Sequence, residues 1–245
     1  MRSELFAQEH LEVEGTGQFV RQSSKMMKVE LSQGSVVALA GSMVAYQGDV
    51  HFEHQGAGGI AKFVKQRLTG EGLPLMRISG TGEIFFANRA ADVHVIQLEG
   101  ESLSINGANI LAYEDTLSSD IQMMRGAGMM SGGMFNTTLS GSGQVAILTD
   151  GPPLVLDAGE APTFVDPDAA VCWSAGLHVQ LKTAIGMKAL LGRTSGEEVQ
   201  LGFVGQGFVV VQPSENMRFG GQDSGRQVDN QTRSGGGFNL GDLIR

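Results

Sequence analysis

Gly80-Thr81-Gly82-Glu83-Ile84-Phe85 is the stretch that decides the fold, because its pattern, a Gly-x-Gly pair opening an apolar strand, occurs four times. The other copies are Gly15-Thr16-Gly17-Gln18-Phe19-Val20, Gly141-Ser142-Gly143-Gln144-Val145-Ala146 and Gly205-Gln206-Gly207-Phe208-Val209-Val210. The second glycines of successive copies are 65, 61 and 64 residues apart. Self-similarity at so even a period indicates an internal repeat.

An aromatic residue recurs in the same phase as the glycines. Tyr46, Tyr113 and Trp173 each end an apolar stretch and follow a second glycine by 29, 31 and 30 residues. We therefore predict three units, at about 11–68, 69–132 and 133–196, with the three aromatic residues packed alike in the interior. A closing strand at 199–212 is expected to pair with the N-terminal strand, since an unpaired sheet edge invites aggregation.

Within a unit, apolar and polar residues alternate with a period of two, as in Met27–Leu31 and Val93–Leu98. This alternation is typical of half-buried antiparallel strands, so the predicted fold class is all-β. The paired glycines at the strand starts are compatible with bulges or close backbone contacts, and equally with turns. Residues 1–213 are expected to form one β domain, followed by a Gly/Gln/Ser-rich tail at 214–245.

The composition excludes several classes of protein. The chain has 245 residues, 41% of them hydrophobic, and a net charge of -9. An acidic molecule repels phosphate backbones, so a nucleic-acid partner is not expected. No apolar segment has the length of a signal peptide or of a membrane-spanning helix, and we expect a cytoplasmic protein.

Residues with catalytic or metal-binding potential are few. The single cysteine, Cys172, lies in an apolar run and is interpreted as a buried core residue. His51 and His178 occupy matching repeat positions, but the remaining unit, the second, has Ser118 there, and no third strong ligand is visible. No nucleophile elbow, phosphate loop or zinc-protease motif occurs. We therefore predict no catalytic residue, no metal, no cofactor and no enzymatic activity.

The connecting segments carry the candidate interaction surface. Residues 60–68 have the apolar spacing of a short amphipathic helix, and the segment near 123–135 combines methionine with glycine, which suits an adaptable contact surface. The candidate residues are Ile60, Phe63, Val64, Met129, Met130, Met134 and Phe135. Exposed apolar patches usually mark contacts with other proteins or with membranes, so we expect a homo-oligomer, for which a trimer is one option. Binding to a membrane surface through the basic helix is the alternative.

Four stretches in order resemble the altered inheritance of mitochondria protein 24 family of bacteria and mitochondria. They are Gly41-Ser42-Met43-Val44-Ala45-Tyr46, Arg67-Leu68-Thr69-Gly70-Glu71 leading to Gly80-Thr81-Gly82, Gly132-Gly133-Met134-Phe135, and Gly141-Ser142-Gly143. The resemblance covers roughly residues 10–212. It implies a fold like that of the tryptophan RNA-binding attenuation protein, with three double-stranded β-helix-like repeats in a pseudo-threefold arrangement and short connecting helices or hairpins. It also implies a structural or protein-interaction scaffold. A small-molecule or metal-binding protein of the cupin kind remains the other hypothesis.

Overall fold

The computed structural model of the protein describes residues 3–54, 74–124, 134–183 and 199–214. In these residues the chain is built almost entirely of strands, as the two-residue alternation predicted. The three helical turns, Glu4–Phe6, Gln8–His10 and Gly107–Asn109, are short 3-10 segments. The predicted amphipathic helix at 60–68 and the tail beyond residue 214 lie outside the described residues and stay predictions.

Fourteen strands occur in the described part of the chain. They are β1 Phe19–Arg21, β2 Met27–Leu39, β3 Met43–His54, β4 Leu75–Phe86, β5 Asp92–Asn106, β6 Ile110–Glu114, β7 Ser118–Met124, β8 Met134–Thr149, β9 Leu154–Asp157, β10 Thr163–Val165, β11 Ala170–Ser174, β12 His178–Thr183, β13 Val199–Val204 and β14 Phe208–Val211. No helix among the described residues has the length and apolar character needed to span a bilayer.

The strands form two sheets. The larger sheet has eleven strands in the order β3-β4-β2-β6-β8-β5-β11-β14-β9, with β1 beside β2 and β7 beside β8. The smaller sheet has the order β10-β13-β12. The strand pairs are antiparallel, as expected for strands with one polar and one apolar face.

Both interpretations of the paired glycines apply, at different copies. Gly80 and Gly82 lie in the middle of β4 with φ of 122° and 153°, and a Cβ on either would overlap a carbonyl oxygen of β3. They are therefore positions of close backbone contact that require glycine. Gly205 and Gly207, by contrast, lie in the bend between β13 and β14.

Three buried clusters form the core, and each contains the residue two positions after a second glycine. These residues are Ile84, Val145 and Val209, all fully buried. Each of them pairs with one of the recurring aromatic residues: Ile84 with Tyr46, Val145 with Tyr113, and Val209 with Trp173. The three aromatic residues thus occupy matching positions in the strand pairing. The pseudo-threefold arrangement of the units remains a prediction.

Two expectations about packing are wrong. Tyr113 and Trp173 are buried, but Tyr46 is 49% exposed, because β6 and β11 each lie between two strands whereas β3 ends the sheet. The strand of the fourth Gly pair, β14, pairs with β11 and β9 among the described strands, whereas the N-terminal β1 pairs with β2. Grouped by the pairing of the aromatic strands with the Gly-pair strands, the chain divides into β1–β4, β5–β8 and β9–β14, and we call these groups the units from here on. The fourth Gly pair therefore belongs to the third unit and does not join the two ends of the chain.

Candidate functional site

Most of the interaction residues predicted from the sequence lie outside the described residues. These are Ile60, Phe63, Val64, Met129 and Met130. Met134 begins β8, and Phe135 is half-buried where it pairs with Met123 of β7. The predicted surface on the connecting segments therefore stays a prediction, as does the membrane-binding alternative that depends on the helix at 60–68.

The two histidines at matching repeat positions are exposed. His51 pairs with Ser79 and His178 with Val204, each one residue before the first glycine of the next pair. Nδ1 of His51 is 3.6 Å from the Asp49 carboxylate, and both side chains are largely exposed. Within the described ranges, no group of three or more His, Cys, Asp or Glu side chains is arranged to hold a metal ion.

Cys172 lies in β11 and is buried, as its apolar run predicted. Burial raises the pKa of the Cys172 thiol to about 12, because a thiolate would lose its solvation in the core. The thiol is therefore protonated at neutral pH and is not an activated nucleophile.

Lys28 is a fully buried charge that the sequence pattern assigned to a polar strand face. Its Nζ is 2.6 Å from Glu12, 3.0 Å from Glu83, 3.2 Å from Glu30 and 3.9 Å from Glu14. The hydrogen bond to the Glu12 carboxylate raises the pKa of Lys28 above its usual value, so the ammonium group stays charged. The cluster attaches the N-terminal segment to β2 and β4, which is a structural role.

Strand pairs join each unit to the next, and both do so in the same register. Between the first and second units, β2 pairs with β6 and places Val37 opposite Tyr113. Between the second and third units, β5 pairs with β11 and places Ser104 opposite Trp173. Within its own unit, Val37 pairs with the residue three positions before Gly80, and Ser104 with the residue three positions before Gly141. We call β2–β6 and β5–β11 the inter-unit pairs.

The matching position in the third unit is Phe164 of β10. Phe164 pairs with Gly202, which lies three residues before Gly205. Val37 and Ser104 likewise pair with the residue three positions before the first glycine of a Gly pair. Among the described strands β10 pairs with β13 alone, whereas β2 and β5 each have an additional partner in the next unit. Phe164 is 43% exposed, and Nζ of Lys182 lies 3.8 Å above its ring. As far as the described ranges go, β10 therefore has one unpaired edge, and the aromatic residue on it is exposed.

The first half of β3, in the first unit, is a second edge with no further partner among the described strands. Its counterparts are β6, which pairs with β2 of the preceding unit, and β11, which pairs with β5 of the preceding unit. Among the described strands, β3 pairs with β4 alone. Tyr46 is exposed there, and its ring contacts Phe52 edge to face at 5.3 Å. We call β3 around Tyr46 and β10 around Phe164 the open edges.

A bulge shared by β3, β6 and β11 supports the correspondence of these three strands. The pairing register shifts at Val44 in β3, at Leu111 in β6 and at Val171 in β11, so all three strands are bulged at the same point. Leu111 and Val171 are fully buried, whereas Val44 is 52% exposed. Sequence reasoning had not identified Val44 or Phe164, and had placed Tyr46 in the core.

Comparison with known proteins gives a family and a structural relative. The family model described as mitochondrial biogenesis AIM24 matches residues 18–214. No curated protein matches the chain in sequence. The structure is similar to the crystal structure of protein SPYM3_0169 from Streptococcus pyogenes, with a TM-score of 0.64 over 80% of this chain and 92% of that one. The two chains are 20% identical, so this likeness concerns the fold.

Proposed function

The chain belongs to the mitochondrial biogenesis AIM24 family, and we propose that it is a non-enzymatic scaffold that binds protein chains along the open edges of its sheets. The observation that carries this proposal is the exposure of Val44, Tyr46 and Phe164 on strands that have a partner on one side only within the described part of the chain. Unpaired backbone groups flanked by apolar side chains are the features that bind an added strand.

Further support comes from what these edges lack. Natural proteins commonly protect an edge strand with lysine or other charges along it. The segment Val44-Ala45-Tyr46-Gln47 of β3 contains no charged residue, and neither does Thr163-Phe164-Val165 of β10. At β9, which ends the larger sheet on the other side, Leu154 and Val155 are also exposed. Such a surface favours contact with another protein over contact with water.

Two finer expectations from the sequence remain predictions. In a closed pseudo-threefold arrangement β3 would pair with β10 of the same chain; the described residues contain no such pair, and closure of this kind is the alternative to binding another chain at the open edges. The cytoplasmic location predicted from the sequence is likewise untested.

Native mass spectrometry and elemental analysis of the purified protein test the scaffold against a small-molecule or metal-binding function. We expect masses that correspond to the chain or its multiples, with no stoichiometric metal or organic ligand. One equivalent of metal per chain, lost in a His51→Ala, His178→Ala double variant, would contradict the proposal. A stoichiometric organic ligand would contradict it as well.

A further inference from the structure

We propose that β3 of one copy of the chain pairs antiparallel with β10 of a second copy, with Tyr46 opposite Phe164. This inference rests on the proposed scaffold function and names its partner, a second copy of this chain. The two inter-unit pairs within the chain supply the register, since Tyr113 lies opposite Val37 and Trp173 opposite Ser104.

Residues at the matching positions are buried in the two inter-unit pairs and exposed at the open edges. Val37, Tyr113, Ser104 and Trp173 are all buried within the inter-unit pairs. Tyr46 and Phe164, at the matching positions, are 49% and 43% exposed. The proposal explains why Tyr46 and Phe164 are exposed. They would be covered by a strand pair of the same geometry, between β3 of one copy and β10 of a second copy.

The backbone of the open edges matches the formed pairs. In β2–β6 the N–H of Asp115 donates to the carbonyl of Ser35 at 3.3 Å. In β5–β11 the N–H of Ala175 donates to the carbonyl of Ser102 at the same distance. The corresponding residues at the open edges are Gly48 and Pro162.

Proline lacks an N–H, which usually excludes it from a paired strand. Here the matching residues, Ser35 and Ser102, act as acceptors of these bonds, and Pro162 keeps its carbonyl. Pro162 is therefore compatible with the proposed pairing, with the N–H of Gly48 as the donor. The edge of β10 is not blocked at this position.

The ion pair of the β2–β6 pair has no counterpart at the open edges. The β2–β6 pair is reinforced by an ion pair from Arg77 to Asp115 and a hydrogen bond from Ser35 to the same carboxylate. The residues at the matching positions of Arg77 and Asp115 are Gly202 and Gly48, which carry no side chain. The Phe164 ring lies over Gly202, where a Cβ would approach it to 3.0 Å. The contact would therefore rest on Tyr46, Phe164 and the backbone.

The proposed association is head to tail, because β3 and β10 are different surfaces of the chain. A dimer formed in this way keeps one free β3 edge and one free β10 edge at its two ends. Further copies can therefore add until the assembly closes as a ring, or it continues as a filament. Every added contact repeats the register of the inter-unit pairs.

Disulfide trapping in a mixture of two variants tests the pairing. In the formed pairs, Asp115–Ser35 is a hydrogen-bonded pair, so the next pair along, Glu114–Val36, is a non-hydrogen-bonded pair with Cα atoms about 4.5 Å apart. The matching residues at the open edges are Gln47 and Thr163. That separation permits a disulfide. We therefore expect a covalent dimer when Gln47→Cys and Thr163→Cys proteins are mixed and mildly oxidised.

The matched control is a mixture of His51→Cys and Thr163→Cys proteins. His51 is on the same strand, four residues or about 13 Å from Gln47, and should give no dimer. The native Cys172 is buried and does not interfere. Equal cross-linking in both mixtures, or none in the first, would overturn the proposal. So would an internal disulfide in a dilute Gln47→Cys, Thr163→Cys double variant without dimer in the mixture, because the chain would then close on itself.

Lysine substitutions at the open edges provide a second readout in unoxidised protein. By light scattering coupled to size exclusion, the wild type should be an assembly and Tyr46→Lys or Phe164→Lys a folded monomer, because both side chains are exposed. Ile121→Lys, at an exposed position on β7, should keep the wild-type mass. A monomeric wild type at micromolar concentration would overturn the copy-to-copy pairing. Only a stoichiometric ligand would overturn the scaffold itself, so the two failures are distinguishable.

Discussion

The ammonium nitrogen of Lys28 lies 2.6 Å from a carboxylate oxygen of Glu12, and this contact joins the N-terminal segment to the sheet. Lys28 is fully buried and also contacts Glu83 and Glu30, whose side chains are 34% and 40% exposed. Replacing Lys28 with Met leaves the carboxylates without their counter-charge. We expect the free energy of unfolding in urea to fall by about 2 kcal/mol, less than for a fully buried pair because the glutamates are partly hydrated.

The control for Lys28→Met is Lys25→Met, which removes an ion pair to Asp92 at 2.9 Å with Lys25 46% exposed. It should cost less than about 1 kcal/mol. The pKa of Lys28 is raised above its ordinary value of 10.5, so its contribution is fully present below that pH and is lost as the pH rises further. Equal effects of the two variants at neutral pH would show that the cluster stabilises the fold no more than an exposed ion pair does.

The three recurring aromatic residues should differ in their contribution to stability. Tyr113→Ala and Trp173→Ala each remove a buried ring and should lower the free energy of unfolding by about 3–5 kcal/mol. Tyr46→Ala removes an exposed ring and should cost less than about 1 kcal/mol in the monomer. Thermal unfolding at low protein concentration measures these differences. Three equal losses would mean that Tyr46 is buried in solution.

The second glycines of two copies should respond differently to alanine. In Gly82→Ala the new Cβ would overlap the backbone carbonyl of Gln47 at a φ of 153°, and neither group can move aside. We expect a loss of at least about 2 kcal/mol. In Gly143→Ala the closest atom is Oε2 of Glu114, the end of a flexible side chain, so the loss should be clearly smaller. Chemical denaturation compares the two, and the reverse order would show that β3 does not approach β4 so closely.

The Cys172 thiol should be inert in the folded protein. It should not react with Ellman's reagent near pH 8 and should react fully in concentrated guanidinium chloride. The folded pKa is about 12 against an ordinary 9.0, so between these values only the unfolded thiol ionises. Stability should therefore fall with rising pH by about 1.4 kcal/mol per unit more in the wild type than in Cys172→Ala. Parallel pH profiles of the two proteins would contradict burial of the thiol.

Much of the strand architecture could be predicted because it is encoded locally. The two-residue alternation in Met27–Leu31 and Val93–Leu98 predicted antiparallel strands, and β2 and β5 contain these segments. The even spacing of the Gly pairs predicted that Tyr46, Tyr113 and Trp173 would occupy matching positions, and their pairing partners agree. Periodicity of this kind depends only on which face of a strand a residue occupies.

Burial could not be predicted in the same way. The alternation assigned Lys28 to an outer face, but the N-terminal segment covers it there. A signal for the open edges was present, however. A chain of three units joined one to the next has two ends without a neighbour, and these ends belong to the first and last units. Applied to the three predicted units, this reasoning would have indicated that one strand of the first unit, which carries Tyr46, and one of the third, which carries Phe164, have a partner on one side only.

The sequence by itself determined the strand content and the matching positions of three aromatic residues in the strand pairing, because hydrophobic period and glycine placement act over a few neighbouring residues. The tertiary structure alone decided which matching residues are buried. Tyr113 and Trp173 became core residues because β6 and β11 have strands on both sides, whereas Tyr46 is exposed because β3 has a described strand on one side only. Burial depends on neighbours that are distant in the chain, and a local pattern does not specify them.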